Sequence, residues 1–240
     1  LKDLLSDSLK ALKKNIIGMK ELRSYTGRCN HVSCLLWLWR PFLDSLWAAV
    51  ASRSHSQVDD DPPVKGHKKR KKVRKTRAPR GTVWTKQVSM SISWIIAFLR
   101  EQYGPVYRQY SRASYFGESD PIEIYLDASP FGLGGVLCIN GIPVTFFTSK
   151  LDHHDERIHN QTIGDSAGQQ AWECLAVLVA LRAWYSTWIF KRAKITIKGD
   201  NVSALAMASR MKLGPTASLI GKELSLLYYE AQFEPEVIHI

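Results

Sequence analysis

Residues 122–148 read IEIYLDASPFGLGGVLCINGIPVTFFT, which is three strand-like runs separated by turn residues. In the first run apolar and polar residues alternate, the pattern of a strand with one buried face. The Asn140-Gly141 pair between the second and third runs is a strong hairpin signal. The predicted strands are Ile122–Asp127, Gly134–Ile139 and Ile142–Thr148.

Further along the chain, apolar runs predict helices that alternate with strands. These are a helix over Ala171–Trp188, a strand over Lys194–Gly199, helices over Asn201–Met211 and Ala217–Glu230, and a strand over Val237–Ile240. A meander followed by a helical crossover and another strand predicts an α/β fold with a mixed sheet.

Three acidic residues lie where these elements should meet. Asp127 ends the first strand, Glu173 lies inside an otherwise apolar helix, and Asp200 lies between a strand and a helix. Carboxylates in apolar surroundings are costly to bury unless they are paired or bind a cation. If the three converge, we expect them to form a magnesium site.

Each aspartate also has a purely structural interpretation. Asp127 could be a turn residue ahead of Ser-Pro, and Asp200 could cap the following helix, which is worth about 1 kcal/mol. Glu173 shares its helix face with small residues, which would let the helix lie close to a sheet; these are Ala176, Ala180 and Ala183. A glutamate on such a face lacks a comparable explanation, so Glu173 is the most specific single signal.

Such a cluster supports two-metal hydrolysis of a phosphodiester. One Mg²⁺ would lower the pKa of an attacking water and a second would stabilise the leaving oxygen, about 3.5–4 Å away. Magnesium prefers oxygen ligands, which explains carboxylates rather than histidines, and Mn²⁺ is a possible substitute. The histidines of the polar segment 152–170, His153, His154 and His159, are better interpreted as solvated loop residues.

Composition narrows the class of protein. A hydrophobic content of 45% over 240 residues excludes a wholly disordered chain. A net charge of +11 suggests a polyanionic partner, most commonly nucleic acid. The four scattered cysteines fit a reducing compartment, and the spacing of Cys29, His31 and Cys34 does not favour zinc. The longest apolar stretch is too short and too charged to span a bilayer.

Four segments follow from the changes in composition. Residues 1–54 are predicted to be helical, 55–83 form a basic linker, 84–120 hold a further helix, and 121–240 form the α/β domain. The first segment should contain helices from about Lys20 to Leu38 and from about Pro41 to Ala51, and the third a helix over 84–103. The aromatic residues of the first segment are better explained by packing between helices than by base stacking; they are Trp37, Trp39, Phe42 and Trp47.

The linker carries the candidate nucleic-acid-binding residues. A long basic run is attracted to nucleic-acid phosphates whatever its conformation, and it also gives weak support to a nuclear or particle-associated location. The residues are Lys68, Lys69, Arg70, Lys71, Lys72, Arg74 and Lys75.

The acidic motifs resemble the RNase H domain of retroelement (retrotransposon) reverse transcriptases. They are YLDASPFGLGG at 125–135, ECLAVLVAL at 173–181 and GDNVSAL at 199–205. More weakly, KELRSYTG at 20–27 and LWRPFLDSL at 38–46 are similar to the thumb and connection helices that precede this domain.

The resemblance implies an RNase H-like mixed five-stranded sheet with flanking helices, preceded by a small all-helical thumb/connection segment. It implies cleavage of the RNA strand of RNA–DNA hybrids, with Asp127, Glu173 and Asp200 as catalytic metal ligands for two Mg²⁺ ions, and a polymerase palm and fingers upstream in the polyprotein. No Tyr-x-Asp-Asp polymerase motif occurs in this chain. The family's fourth carboxylate would follow Ile240, so we expect residues 1–240 alone to be weakly active or inactive.

Two other functions stay open at this level. Some RNase H-like modules of retroelements only connect domains and bind the hybrid without cutting it. Alternatively, the chain is a basic nucleic-acid-binding fragment whose function lies in the linker. The presence of all three carboxylates favours catalysis over the non-catalytic module.

Overall fold

Five strands form one mixed sheet in the computed structural model, which describes residues 1–54, 78–107, 109, 111–189, 194–212 and 217–240. The strands are β3 (Ile122–Ser129), β4 (Gly132–Ile139), β5 (Ile142–Lys150), β6 (Lys194–Gly199) and β7 (Glu234–His239). Their order across the sheet is β5-β4-β3-β6-β7. The meander β3-β4-β5 is antiparallel, whereas β6 runs parallel to both β3 and β7.

Local sequence explains the meander. Asn140 and Gly141 both adopt positive φ (55° and 74°), which is the geometry that a two-residue hairpin needs and that Asn-Gly tolerates. In β3, Ile122, Ile124 and Leu126 are buried while the alternate residues are more exposed, so one face of the strand lies against the core.

Helices cover that buried face. The α-helices of this part of the chain are α5 (Arg112–Tyr115), α6 (His153–His159), α7 (Gln169–Ala183), α8 (Tyr185–Trp188), α9 (Val202–Arg210) and α10 (Ser218–Ala231). Helix α7 packs on β3 and β4, α9 packs on β6 and β7, and α10 packs on α7 and α9. The predicted α/β fold, with a mixed five-stranded sheet and flanking helices, is confirmed, and it is consistent with an RNase H-like fold.

The chain divides into two compact units. The first comprises residues 1–35 and 42–100, and the second comprises 36–41 and 101–240, which includes the sheet. The first unit contains α1 (Lys2–Leu12), β1 (Ile16–Gly18), α2 (Met19–Leu35), α3 (Asp44–Ser54), β2 (Thr82–Trp84) and α4 (Ser89–Leu99). It is helical as predicted, but it also contains a short antiparallel pair, β1 with β2, that the sequence did not reveal.

Several predicted boundaries were wrong. The helix predicted to reach Leu38 ends at Leu35, and a 3₁₀ helix follows over Trp37–Leu43. Pro41 lacks an N–H and disfavours α geometry in the residue before it, which explains why no α-helix continues here. The helix predicted over 84–103 begins only at Ser89 and ends at Leu99.

Two more corrections concern the sheet domain. The helix predicted to reach Trp188 ends at Ala183, and the four-residue α8 follows it. The last strand begins at Glu234 instead of Val237 and tolerates Pro235 because β7 is the edge strand of the sheet formed by the described residues. The segment 152–170, predicted as a polar connection, contains α6 and a short 3₁₀ helix.

Part of the first helical segment belongs to the second unit. Trp39 Nε1 donates to Tyr229 Oη (2.6 Å), and Ser225 Oγ donates to the carbonyl oxygen of Leu38 (2.6 Å). Trp39 is fully buried and Trp37 meets the Tyr228 ring edge-on at 5.7 Å. These residues therefore pack against α10, as the interpretation of the aromatic cluster as core anticipated, but that interpretation was wrong for Trp47, which is exposed.

Across the described ranges of the chain, no helix has both the length and the apolar character that a membrane crossing requires.

Candidate metal centre

The carboxylates of Asp127, Glu173 and Asp200 lie together. Each offers an oxygen, and these oxygens all lie within 4.8 Å of one another. Glu173 is 7% exposed, whereas both aspartates are exposed. Among the described residues this is the group of three or more acidic, histidine or cysteine side chains close enough to share a cation.

The sheet topology explains the convergence. β3 and β6 are parallel, and Tyr125 pairs with Lys198. The positions two residues further along each strand therefore lie at the same edge of the sheet, the one where the carboxyl ends of both strands lie. Asp127 lies at this edge in β3, and Asp200 follows the last residue of β6. Glu173 reaches the same place from α7, which packs on β3.

The structure also removes the alternative explanations of the two aspartates. The cap of α9 is Asn201, whose Oδ1 accepts from the backbone N–H groups of Ser203 and Ala204 (3.0 Å each). The turn after β3 is made by Ser129, whose Oγ accepts from the N–H groups of Phe131 and Gly132. Neither Asp127 nor Asp200 is needed for these local structures.

Burial and charge act together on Glu173. Burial raises the pKa of the Glu173 carboxyl to about 7, the Gln169 hydrogen bond opposes this rise, and the charges of Asp200 and Asp127 add to it. Burial and the neighbouring charges thus disfavour the ionised form of Glu173. A divalent cation would favour that form.

Two residues near the cluster escaped prediction. Gln169, one helical turn before Glu173, donates an amide hydrogen bond to it (2.8 Å). His239 Nε2 lies 2.8 Å from the carbonyl oxygen of Asp200 and so helps fix the backbone there. The helix was predicted to begin at Ala171, so Gln169 was not placed on it, and the contact of His239 depends on the pairing of β6 with β7.

The histidines of 152–170 do not belong to the acidic group found among the described residues. His153 and His154 are exposed on α6, where His153 Nδ1 contacts Glu156 Oε2 at 2.7 Å. Burial lowers the pKa of His159, whose ring lies edge-on to Trp172 at 5.9 Å. They lie on a helix instead of the predicted loop, and in the described part of the chain none joins a metal-binding group.

Other candidates from the sequence do not form a second centre. Burial raises the pKa of the Cys29 thiol to about 11, while Cys34 is exposed. In the described ranges these cysteines and His31 do not form a metal-binding group. The seven basic residues between Lys68 and Lys75 lie outside the described residues.

Comparison with known proteins gives only distant likenesses. No protein-family model matches the chain, and no curated protein does. Among solved structures, the foamy viral protease-reverse transcriptase dRH in complex with double-stranded DNA is similar with 11% identity and a TM-score of 0.32. The foamy viral protease-reverse transcriptase in complex with double-stranded DNA is similar with 13% identity and a TM-score of 0.30.

Both likenesses span 94% of this chain but only 36% and 41% of those chains. The chain therefore corresponds to well under half the length of either viral protein. Because TM-scores of this size describe a distant likeness, the fold rests on the strand order and register given above.

Proposed function

We propose that residues 121–240 carry the RNase H-like nuclease domain of a retrotransposon reverse transcriptase, which hydrolyses the RNA strand of RNA–DNA hybrids. The observation that carries this proposal is the convergence of Asp127, Glu173 and Asp200, whose oxygens lie within 4.8 Å of one another at one edge of the sheet. Three separate elements supply these side chains, and one of them is almost fully buried.

The donor set fits magnesium. It consists of carboxylate oxygens, and the nearby histidines do not take part. Burial first, and then the charges of Asp200 and Asp127, raise the pKa of Glu173, so a bound cation would stabilise its ionised form. Two Mg²⁺ ions, when bound, would supply an activated water and a counter-charge for the leaving oxygen, and Mn²⁺ could replace them.

The residues themselves would have different tasks. Glu173, buried on α7, would bind the cation from the protein side. Asp127 and Asp200 are exposed and would lie on the side from which substrate approaches. The strand position directly opposite Asp127 is Gly134. Among the described residues, a Cβ atom there would meet one atom within 4 Å, the Phe147 carbonyl oxygen at 3.9 Å, so this position is not crowded.

Basic residues of the linker would increase the affinity for nucleic acid. The cations from Lys68 to Lys75 belong to the same chain as the acidic site. Phosphate contacts from such a run would weaken steeply as the salt concentration rises. The polymerase palm and fingers would be supplied by other parts of the full polyprotein.

Cleavage of an RNA–DNA hybrid with labelled RNA tests the proposal. The assay compares Mg²⁺ with chelator and the wild-type chain with Asp127→Asn, in residues 1–240 and in a longer chain extended past Ile240 by a helix that carries a fourth carboxylate. We expect Mg²⁺-dependent cutting in the longer chain, lost in the variant, and little or none from residues 1–240. Hybrid binding without cutting in the longer chain would instead support a non-catalytic connection module.

A further inference from the structure

The first residue of α7 makes an unusual pair of contacts. Gln169 lies four residues before Glu173, so both side chains lie on one face of the helix. Gln169 Nε2 donates to Glu173 Oε1 at 2.8 Å and also to the carbonyl oxygen of Ala128. An amide nitrogen carries two N–H groups, and both are used here.

These partners fix the orientation of the amide. A backbone carbonyl can only accept a hydrogen bond, so the nitrogen of the Gln169 amide must face Ala128. Ala128 directly follows Asp127 in β3. One side chain therefore connects the backbone beside Asp127 to the carboxylate of Glu173.

The amide oxygen of Gln169 is buried and has no hydrogen-bond partner among the described residues. A buried unpaired acceptor is unfavourable unless water reaches it. The side chain is thus held by its two donated bonds.

Glu173 depends on this contact. Within the described residues, Gln169 is the one hydrogen-bond donor to its carboxylate, and the bond uses Oε1. A glutamate side chain otherwise samples several rotamers, and fixing one of them costs entropy on binding. The bond leaves Oε2 of Glu173 without a protein partner in the described part of the chain.

We propose that Gln169 is a positioning residue, which holds the Glu173 carboxylate in place so that its free oxygen, with those of Asp127 and Asp200, can bind a divalent cation. This inference rests on the proposed function, because it assumes that the three carboxylates bind a cation. It adds a residue outside the acidic set and defines what that residue does. Gln169 itself contributes donors, not a ligand.

Binding of Mn²⁺ tests this directly. The electron paramagnetic resonance signal of free Mn²⁺ decreases as the ion binds, so it gives the amount bound. The titration uses residues 1–240 at mildly alkaline pH, where the ligands are ionised. Gln169→Leu removes both donors while keeping a good helix former of similar size. We expect its affinity to fall about 10- to 100-fold, the usual loss when the partner that orients a metal ligand is removed.

Control variants separate positioning from a general effect on folding. Gln170→Leu makes the same substitution at the neighbouring position, and its affinity should stay within about twofold of wild type. Gln169→Ala is a second test if the leucine variant folds poorly, as judged by circular dichroism. In a Glu173→Gln background, Gln169→Leu should cause no further loss, because it acts through Glu173.

The outcomes are distinguishable. If the wild-type chain binds no Mn²⁺, the proposed function is overturned and this inference falls with it. If the wild-type chain binds Mn²⁺ and folded Gln169 variants bind it equally well, only the inference is overturned. Losses that multiply fully in the double variant would also overturn it, since Gln169 would then act independently of Glu173.

Discussion

At the scale of single residues, the acidic site shows how context decides the role of a side chain. Asp127 and Asp200 each had an ordinary interpretation in the sequence, as a turn residue and as a helix cap. Ser129 and Asn201 perform those tasks in the structure. The sequence could not reveal this, because the choice between adjacent polar residues depends on where the strand and helix begin and end.

A pair of substitutions separates these two tasks. We expect Asn201→Ala to lower the free energy of unfolding by about 1 kcal/mol, because α9 loses its cap, with unchanged Mn²⁺ affinity. Asp200→Asn should abolish Mn²⁺ binding with little loss of stability. Urea denaturation and Mn²⁺ titration of both variants check this, and a cap-like loss of stability in Asp200→Asn would contradict it.

Glu173 shows the opposite situation, because its burial was evident from the apolar helix around it. Its raised pKa means that the folded chain still holds a proton at pH values where the unfolded chain has released it. By linkage, the free energy of unfolding must then fall as the pH rises from about 4.5 to about 7. The loss from this group amounts to roughly 3 kcal/mol.

Glu173→Gln should remove this pH dependence, because an amide does not ionise. In chelator, we expect the variant to be more stable than wild type by about 1–3 kcal/mol above neutral pH and similar to it near pH 4.5. Denaturation curves at several pH values measure the difference. Equal stability of the two chains across this pH range would contradict the prediction, because ionised Glu173 would then not destabilise the folded chain.

At the scale of elements, the hairpins and the parallel crossover could be predicted, but the boundaries of helices could not. The Asn140-Gly141 turn follows from local conformational preference alone. The break after Leu35 depends on Pro41 and on the burial of Trp39 against α10. Tertiary packing of this kind leaves no periodic signal in the sequence.

The 3₁₀ helix Trp37–Leu43 yields a prediction about stability. Trp39→Ala should destabilise the second unit by about 3–5 kcal/mol, since it leaves a cavity and removes the bond to Tyr229. Trp47→Ala is the matched control, because Trp47 is 44% exposed and its loss should cost less than about 1 kcal/mol. Guanidinium denaturation followed by circular dichroism compares them. Equal effects would mean that residues 36–41 are not part of the core.

At the scale of the whole molecule, the fold and the convergence of the three carboxylates could be predicted, because both depend on the same strands. The alternation in β3 set the buried face, and the parallel crossover to β6 brought Asp127 and Asp200 to one edge. The position of Gln169 and the inclusion of residues 36–41 in the second unit depend on contacts between distant parts of the chain. Those contacts become visible only in three dimensions.

The most direct test of the account is the amount of labelled RNA cut in an RNA–DNA hybrid with Mg²⁺, by the chain extended past Ile240 and by its Asp127→Asn variant. The account predicts Mg²⁺-dependent cutting of the RNA strand by the wild-type chain, reduced to the chelator background in the variant. Equal cutting by both chains would contradict it, because the three carboxylates could not then be the centre of the reaction.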